Sequence, residues 1–203
     1  MEVDPDDPAG QSLLVRYPSV SDRDGDYVPS SVKIEAGAKS ALDPHRSADI
    51  QPYMAQELGA NLTVSGVVTI DAERTFWDKI VILHGLRRWY EIRGEFRHQG
   101  HRVSRHYYDV HQLLRSREGK AATLDQALAL DCVRHARMFF NSKDMDLEHA
   151  HPGSFALAPV SEMLPALRRD YQSMASMIFG TVPAFDDVIH TIQGLERQIN
   201  AKP

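Results

Sequence analysis

The stretch that decides the fold is Asp71-Ala-Glu-Arg-Thr-Phe-Trp-Asp-Lys79-Ile-Val-Ile-Leu-His84, with its continuation Arg105-His-Tyr-Tyr-Asp109-Val-His-Gln-Leu-Leu114. Residues 73 to 86, wound at 100° per residue, place Phe76, Leu83, Leu86 and Ile82 around Lys79, so a lysine rises from an apolar helical face. Such an ammonium either reaches along its methylene stem to water or meets an anion. In the second stretch Arg105 and Asp109 stand at i and i+4, with Tyr108, His111 and Leu114 continuing the helical spacing. On spacing alone that is a surface ion pair of about 0.2–0.5 kcal/mol.

Working outward, Asp71 is a natural N-cap for the Lys79 helix. Before it, Thr63 to Ile70 is rich in β-branched residues and reads as a strand. Ser31 to Gly37 alternates, with Val32, Ile34 and Ala36 on one face and Lys33, Glu35 and Gly37 on the other, as in a half-buried strand. Gln11 to Tyr17 is a short apolar strand stopped by Pro18. Between these lie a polar turn at Ser21–Asp26, too poor in ligands for a calcium loop, and a loop over 38–62 with a short extended piece near Ile50. Residues 1–10 carry Asp4 and Asp6, but Pro5 and Pro8 make them a poor strand and they read as a disordered lead-in.

After the Lys79 helix, Arg93 to Ser104 is a basic connection holding Arg97, His98, His101 and Arg102. A helix capped by Thr123 then runs through Leu130, Val133 and Met138 to Phe140. Another runs from Ser161 to Gly180, and a last one follows Pro183 through Val188, Ile192, Leu195 and Ile199. Met163, Met174, Met177 and Phe179 read as core packing, and the single cysteine, Cys132, as a small core residue. This order predicts an α+β chain: a lead-in (1–10), a sheet of three to four strands (11–70) and a C-terminal helical bundle (71–203).

With 42% hydrophobic and 25% charged residues, the sequence is that of an ordinary globular protein. One cysteine excludes an internal disulfide, and no run approaches the ~20 apolar residues of a membrane span, so the cytoplasm is the default location. The net charge of −5 argues against general nucleic-acid affinity, yet residues 71–120 hold eleven Lys/Arg against seven Asp/Glu, +4, leaving −9 for the rest. Histidines 84, 98, 101, 106 and 111 fall in the same segment. A local basic surface suits an anionic ligand held in one place.

The run Glu73 to Lys79 followed by Arg105-His-Tyr-Tyr-Asp109 resembles the paired signatures of the nucleotidyl transferase AbiEii/AbiGii toxin family. The likeness continues through Tyr27-Val-Pro-Ser-Ser-Val-Lys-Ile-Glu35-Ala-Gly, His151-Pro-Gly, Arg169-Asp-Tyr171, Met177-Ile-Phe-Gly180 and Gln198-Ile-Asn200. The resemblance implies a partial nucleotidyltransferase-like sheet followed by the helical domain. It also implies transfer of a nucleotide from a nucleoside triphosphate to an acceptor such as tRNA, with Mg2+ as cofactor and an antitoxin protein as partner. Lys79 and Asp109 would be catalytic, Arg105, Arg102 and His106 would bind substrate, and Glu35, in Ile34-Glu35-Ala36, would be a metal carboxylate. Glu35 also fits an exposed strand glutamate paired with Lys33 or Lys39. No segment fits the Gly-Gly or Gly-Ser turn and Asp-x-Asp strand that hold the metal ions in such enzymes. The expectation is therefore the C-terminal part of one, incomplete as a catalyst, or a non-catalytic module binding nucleotide or protein.

Overall fold

The computed structural model describes residues 1–5, 7, 10–18, 29–37, 41–96 and 102–201. The expected turn at Ser21–Asp26 and the residues Arg97, His98 and His101 lie outside them, as do Asp6 and Lys39. The chain divides into two compact units, Met1–Ala41 and Leu42–Pro203.

Among the described residues the first unit holds a three-stranded antiparallel sheet in the order β1 (Glu2–Val3), β2 (Ser12–Arg16) and β3 (Ser31–Glu35). Leu13 pairs with Ile34 and Val15 with Val32, so the two apolar alternations share a face. Residues 2–3, expected within the lead-in, form an edge strand opposite Leu14 and Leu13. That strand ends before Asp4 and Pro5, and two residues are too few to carry an alternation. Residues Val32 to Glu35 are all exposed, Val32 and Ile34 included, so neither face of this strand is buried, which corrects the expectation of one covered face.

The second unit opens with a hairpin, β4 (His45–Ile50) against β5 (Val64–Ile70), with a register shift between Ala48 and Ile50. The strands expected in one sheet therefore belong to two: β4, whose polar sequence His-Arg-Ser-Ala-Asp-Ile hides it, supplies the partner of β5.

Among the described residues six helices follow: α1 (Ala72–Arg93), α2 (Ser104–Arg115), α3 (Arg117–Ala122), α4 (Gln126–Phe139), α5 (Leu164–Met174) and α6 (Phe185–Asn200). Helix α1 is the axis of the core and packs on α2, α3 and α4. Its buried Phe76, Trp77, Ile80, Val81 and Leu83 spread around much of the cylinder, because it has neighbours on several sides. Tyr107 and Val110 of α2, Cys132 and Val133 of α4, Leu167 and Tyr171 of α5, and Val188, Ile192 and Leu195 of α6 close this core. Within the unit, Asn200 ties the end of α6 to a loop strand: its amide donates to the Phe155 carbonyl (2.7 Å) and its oxygen accepts from the Phe155 N–H (3.0 Å).

The α+β order and helical C-terminal part are as the sequence reads, with corrections at the ends. The N-cap of α4 is Asp125, whose carboxylate accepts from Leu128 N at 2.9 Å, while Thr123 closes α3. Helix α5 starts after a 3₁₀ turn at Ser161–Met163 and ends at Met174, before Gly180. Met163 and Met174 are core residues, but Met177 and Phe179, beyond that end, are exposed. Among the described residues no helix is long and apolar enough to cross a membrane.

Candidate functional site

Lys79 sits in the third turn of α1, on the side where α2 packs. Its ammonium donates to Asp109 Oδ2 at 2.7 Å and lies 3.3 Å from His106 Nδ1. The anion that the apolar placement of Lys79 calls for is thus a carboxylate one helix away, and the pairing compensates the partial loss of water. The site still opens to solvent: the side chains of Lys79 and Asp109 keep 22% and 36% exposure. Two of the three ammonium N–H groups are accounted for, so one remains for a further acceptor. Asp109 Oδ1 has no hydrogen-bond partner among the described residues.

His106 acts as an acceptor here. Burial, reinforced by the positive charges of Lys79 and Arg105, pushes its pKa down to about 3. The imidazole is therefore neutral, and with Nδ1 accepting from Lys79 the proton resides on Nε2.

How α2 comes to hold these two residues is seen at its start. Its N-cap position, Val103, has no side chain able to cap, and Arg102 takes a left-handed backbone (φ 60°). The start of the helix is held from α5: Asp170 accepts from the first-turn amide Ser104 N (2.7 Å), from Ser104 Oγ (2.5 Å) and from Arg102 N (2.8 Å), just before the N-cap. Asp170 lies in the Arg169-Asp-Tyr171 triple, but its role has no local signal, since its partners precede it by 66 and 68 positions.

The structure brings together Lys79, Asp109 and His106. Arg105 is exposed and makes no ion pair among the described residues, so the expected Arg105–Asp109 pair is not formed; Asp109 is drawn to Lys79 instead. Arg102 contributes its backbone N–H to Asp170. Three other arginines of this basic segment are engaged with acids: Arg87 and Arg88 with Glu91, Arg88 also with Asp146, and Arg93 with Asp144. His84 is structural: its Nδ1 accepts from Ala156 N (3.1 Å) and its Nε2 donates to the Asp146 carbonyl (3.1 Å).

Glu35, in the first unit, bonds Lys33 Nζ at 2.8 Å, and the same ammonium meets Asp4 at 3.0 Å. The two carboxylates, Glu35 first, raise the Lys33 pKa to about 12. Lys33 thus occupies the space between the two carboxylates, and among the described residues no group of three His, Cys, Asp or Glu could hold a divalent ion. The residues described do not fit the Mg2+ that the resemblance implies.

The model of the nucleotidyl transferase AbiEii toxin family, of type IV toxin–antitoxin systems, matches residues 2–191. No curated protein and no solved structure matches the chain. The family match takes in both units and spans every residue of the Lys79 site, so the chain belongs to the AbiEii family of nucleotidyl transferase toxins.

Proposed function

We propose that the Lys79–Asp109–His106 constellation is the phosphate-binding part of a nucleotidyl transfer site, which takes a nucleoside triphosphate and serves transfer of its nucleotide to an acceptor such as tRNA. The observation that carries this reading is a half-open ammonium held by a carboxylate and a neutral imidazole, with an N–H left for an anionic oxygen. Lys79 neutralises phosphate charge, and Arg105, exposed at the start of α2 and without an ion pair among the described residues, assists on the same anion. Asp109 orients Lys79 through Oδ2 and offers Oδ1 to an acceptor hydroxyl. His106 holds the ammonium without adding a competing charge. Arg102 takes part through its place in the connection, and an antitoxin protein completes the system.

In-line transfer in nucleotidyltransferases draws on carboxylate-held metal ions, and Glu35 with its Lys33 partner does not supply them. The reading therefore assigns triphosphate binding to this chain and expects no transfer from it alone. A second reading, a binding module without catalysis, is favoured by the Lys33 bridge between Asp4 and Glu35. The test pairs equilibrium binding of labelled ATP, CTP, GTP and UTP with label transfer to tRNA in Mg2+. Salt-sensitive binding that disappears in Lys79→Ala, without transfer, is expected. Absence of binding by the wild-type chain overturns the assignment. Transfer that depends on Lys79 overturns the restriction to binding and identifies carboxylates outside the described set.

A further inference from the structure

We propose that Asp170 is the positioning residue of this site: a carboxylate on α5 that sets the rotation and height of α2, and with them the meeting of His106 and Asp109 with Lys79. The inference rests on the Lys79 reading for its functional consequence and on geometry for its structural one.

Both oxygens of Asp170 are committed. Oδ1 accepts from Arg102 N, and Oδ2 accepts from the backbone and the hydroxyl of Ser104, which is fully buried. These three bonds stand where a cap of α2's own would stand, since Val103 provides none. They also hold Arg102 in a left-handed conformation that a side-chain-bearing residue seldom adopts unless its surroundings impose it. The anchor itself is fixed: Leu167 and Tyr171 of α5 are buried, and the Tyr171 hydroxyl donates to the Pro183 carbonyl at 2.9 Å.

The geometric lever is short. Asp109 lies five residues beyond Ser104, about 7.5 Å along the axis, and slipping α2 by one residue would turn it by about 100° and carry Asp109 off Lys79. A clamp that fixes Ser104 therefore fixes the site. It has a second effect. The positive end of the α2 dipole, an attractive seat for phosphate, is already taken by the Asp170 carboxylate. An incoming triphosphate is thereby denied the α2 amides and directed to Lys79 and Arg105.

The experiment compares the full chain with Asp170→Asn and Ser104→Ala, using histidine-selective nitrogen NMR, amide hydrogen exchange and ATP titration. In wild type His106 shows the neutral form with an accepting Nδ1. In Asp170→Asn that signature gives way to a mixture of tautomers, the Arg102 and Ser104 amides lose protection while those of α6 keep theirs, and ATP affinity falls about tenfold, or 1.4 kcal/mol. Ser104→Ala, which keeps the two amide bonds, shifts the same signals partway. A folded Asp170→Asn protein with an unchanged His106 signature overturns the proposal. Should Asp170→Asn not fold, Ser104→Ala decides on the same signal, an unchanged His106 again overturning it. If the wild-type chain binds no ATP, the Lys79 reading fails, while the His106 signature still judges Asp170.

Discussion

Lys79 on α1 and Asp109 on α2 are 30 positions apart in sequence and 2.7 Å apart in space, and neither makes another ion pair among the described residues. The contact is half open, so it contributes little to stability and much to placing a charge. Their separate replacement is therefore informative about ligand more than about folding.

Lys79→Ala should weaken triphosphate binding at least about tenfold, while Lys79→Arg, which restores the charge but not the point donor, recovers only part of it. Asp109→Asn should act in the same direction but less strongly, because the neutral amide keeps the shape and loses the carboxylate that orders the ammonium. Calorimetric titration at two salt concentrations reads both effects. A gain of affinity in Asp109→Asn would mean that the carboxylate competes with phosphate for the ammonium more than it orders it.

Three histidines of α1 and α2, His84 and His111 buried and His106 partly buried, predict the pH response of stability. Burial lowers the pKa of His84, His106 and His111 from the ordinary 6.5, that of His106 to about 3. Above 6.5 both the folded and the unfolded chain hold them neutral. Below it the unfolded chain takes up protons that the folded chain refuses, so stability falls with pH, at up to about 1.4 kcal/mol per pH unit for each histidine. Urea midpoints at pH 7.5, 6.5 and 5.5 should drop progressively, and His106→Gln should flatten the decline. Glu91 and Asp146, whose carboxyls are held below their usual range, add further loss only at lower pH. A constant midpoint down to pH 5.5 would show that these imidazoles reach water.

What the sequence made legible was what repeats locally. The strands around Leu13, Ile34 and Val67, the Lys79 helix, the last helix and the buried Cys132 all announce themselves by period or composition. The Lys79–Asp109 contact was accessible through the family resemblance, which implies that both residues serve one site; spacing alone paired Asp109 with Arg105. What stayed hidden depends on residues far apart. Asp170 caps a helix that starts 66 positions earlier, Asp125 outcompetes Thr123 only once α3 is recognised, and β4 is a strand because β5 lies beside it. Met177 and Phe179 have core-like chemistry, but α5 ends at Met174, so the spacing that would have turned them inward is lost.

Cys132 should be silent toward thiol reagents. It is fully buried on α4, its thiol faces the Arg74 carbonyl at 4.0 Å, and burial, aided by Asp78, pushes its pKa upward. In native buffer at neutral pH a disulfide reagent should react only at the rate of global opening, and should titrate one thiol in denaturant. Rapid native reaction would place Cys132 at an accessible surface and contradict the packing of α4 on α1.

Gly119 supplies the last prediction, because it stands where two helices meet with no room. Ser116 ends α2 and begins α3, its hydroxyl donating to the Leu113 carbonyl (2.7 Å) and accepting from Gly119 N (2.9 Å). A Cβ on Gly119 would lie 1.9 Å from the Leu113 oxygen and 2.3 Å from its carbonyl carbon, and these are backbone atoms that cannot swing aside. Replacing a helical glycine with alanine ordinarily stabilises by about 0.5–1 kcal/mol. At Gly119 the clash dominates, the α2–α3 corner must open, and the loss should reach about 2 kcal/mol or more. Gly194, inside α6, is the control: a Cβ there meets nothing within 4 Å, so Gly194→Ala should show the ordinary gain. Thermal and urea denaturation of the two variants beside wild type should give shifts of opposite sign. A stabilised Gly119→Ala would show that α3 can move away from Leu113 and that the corner carrying the end of α2 yields.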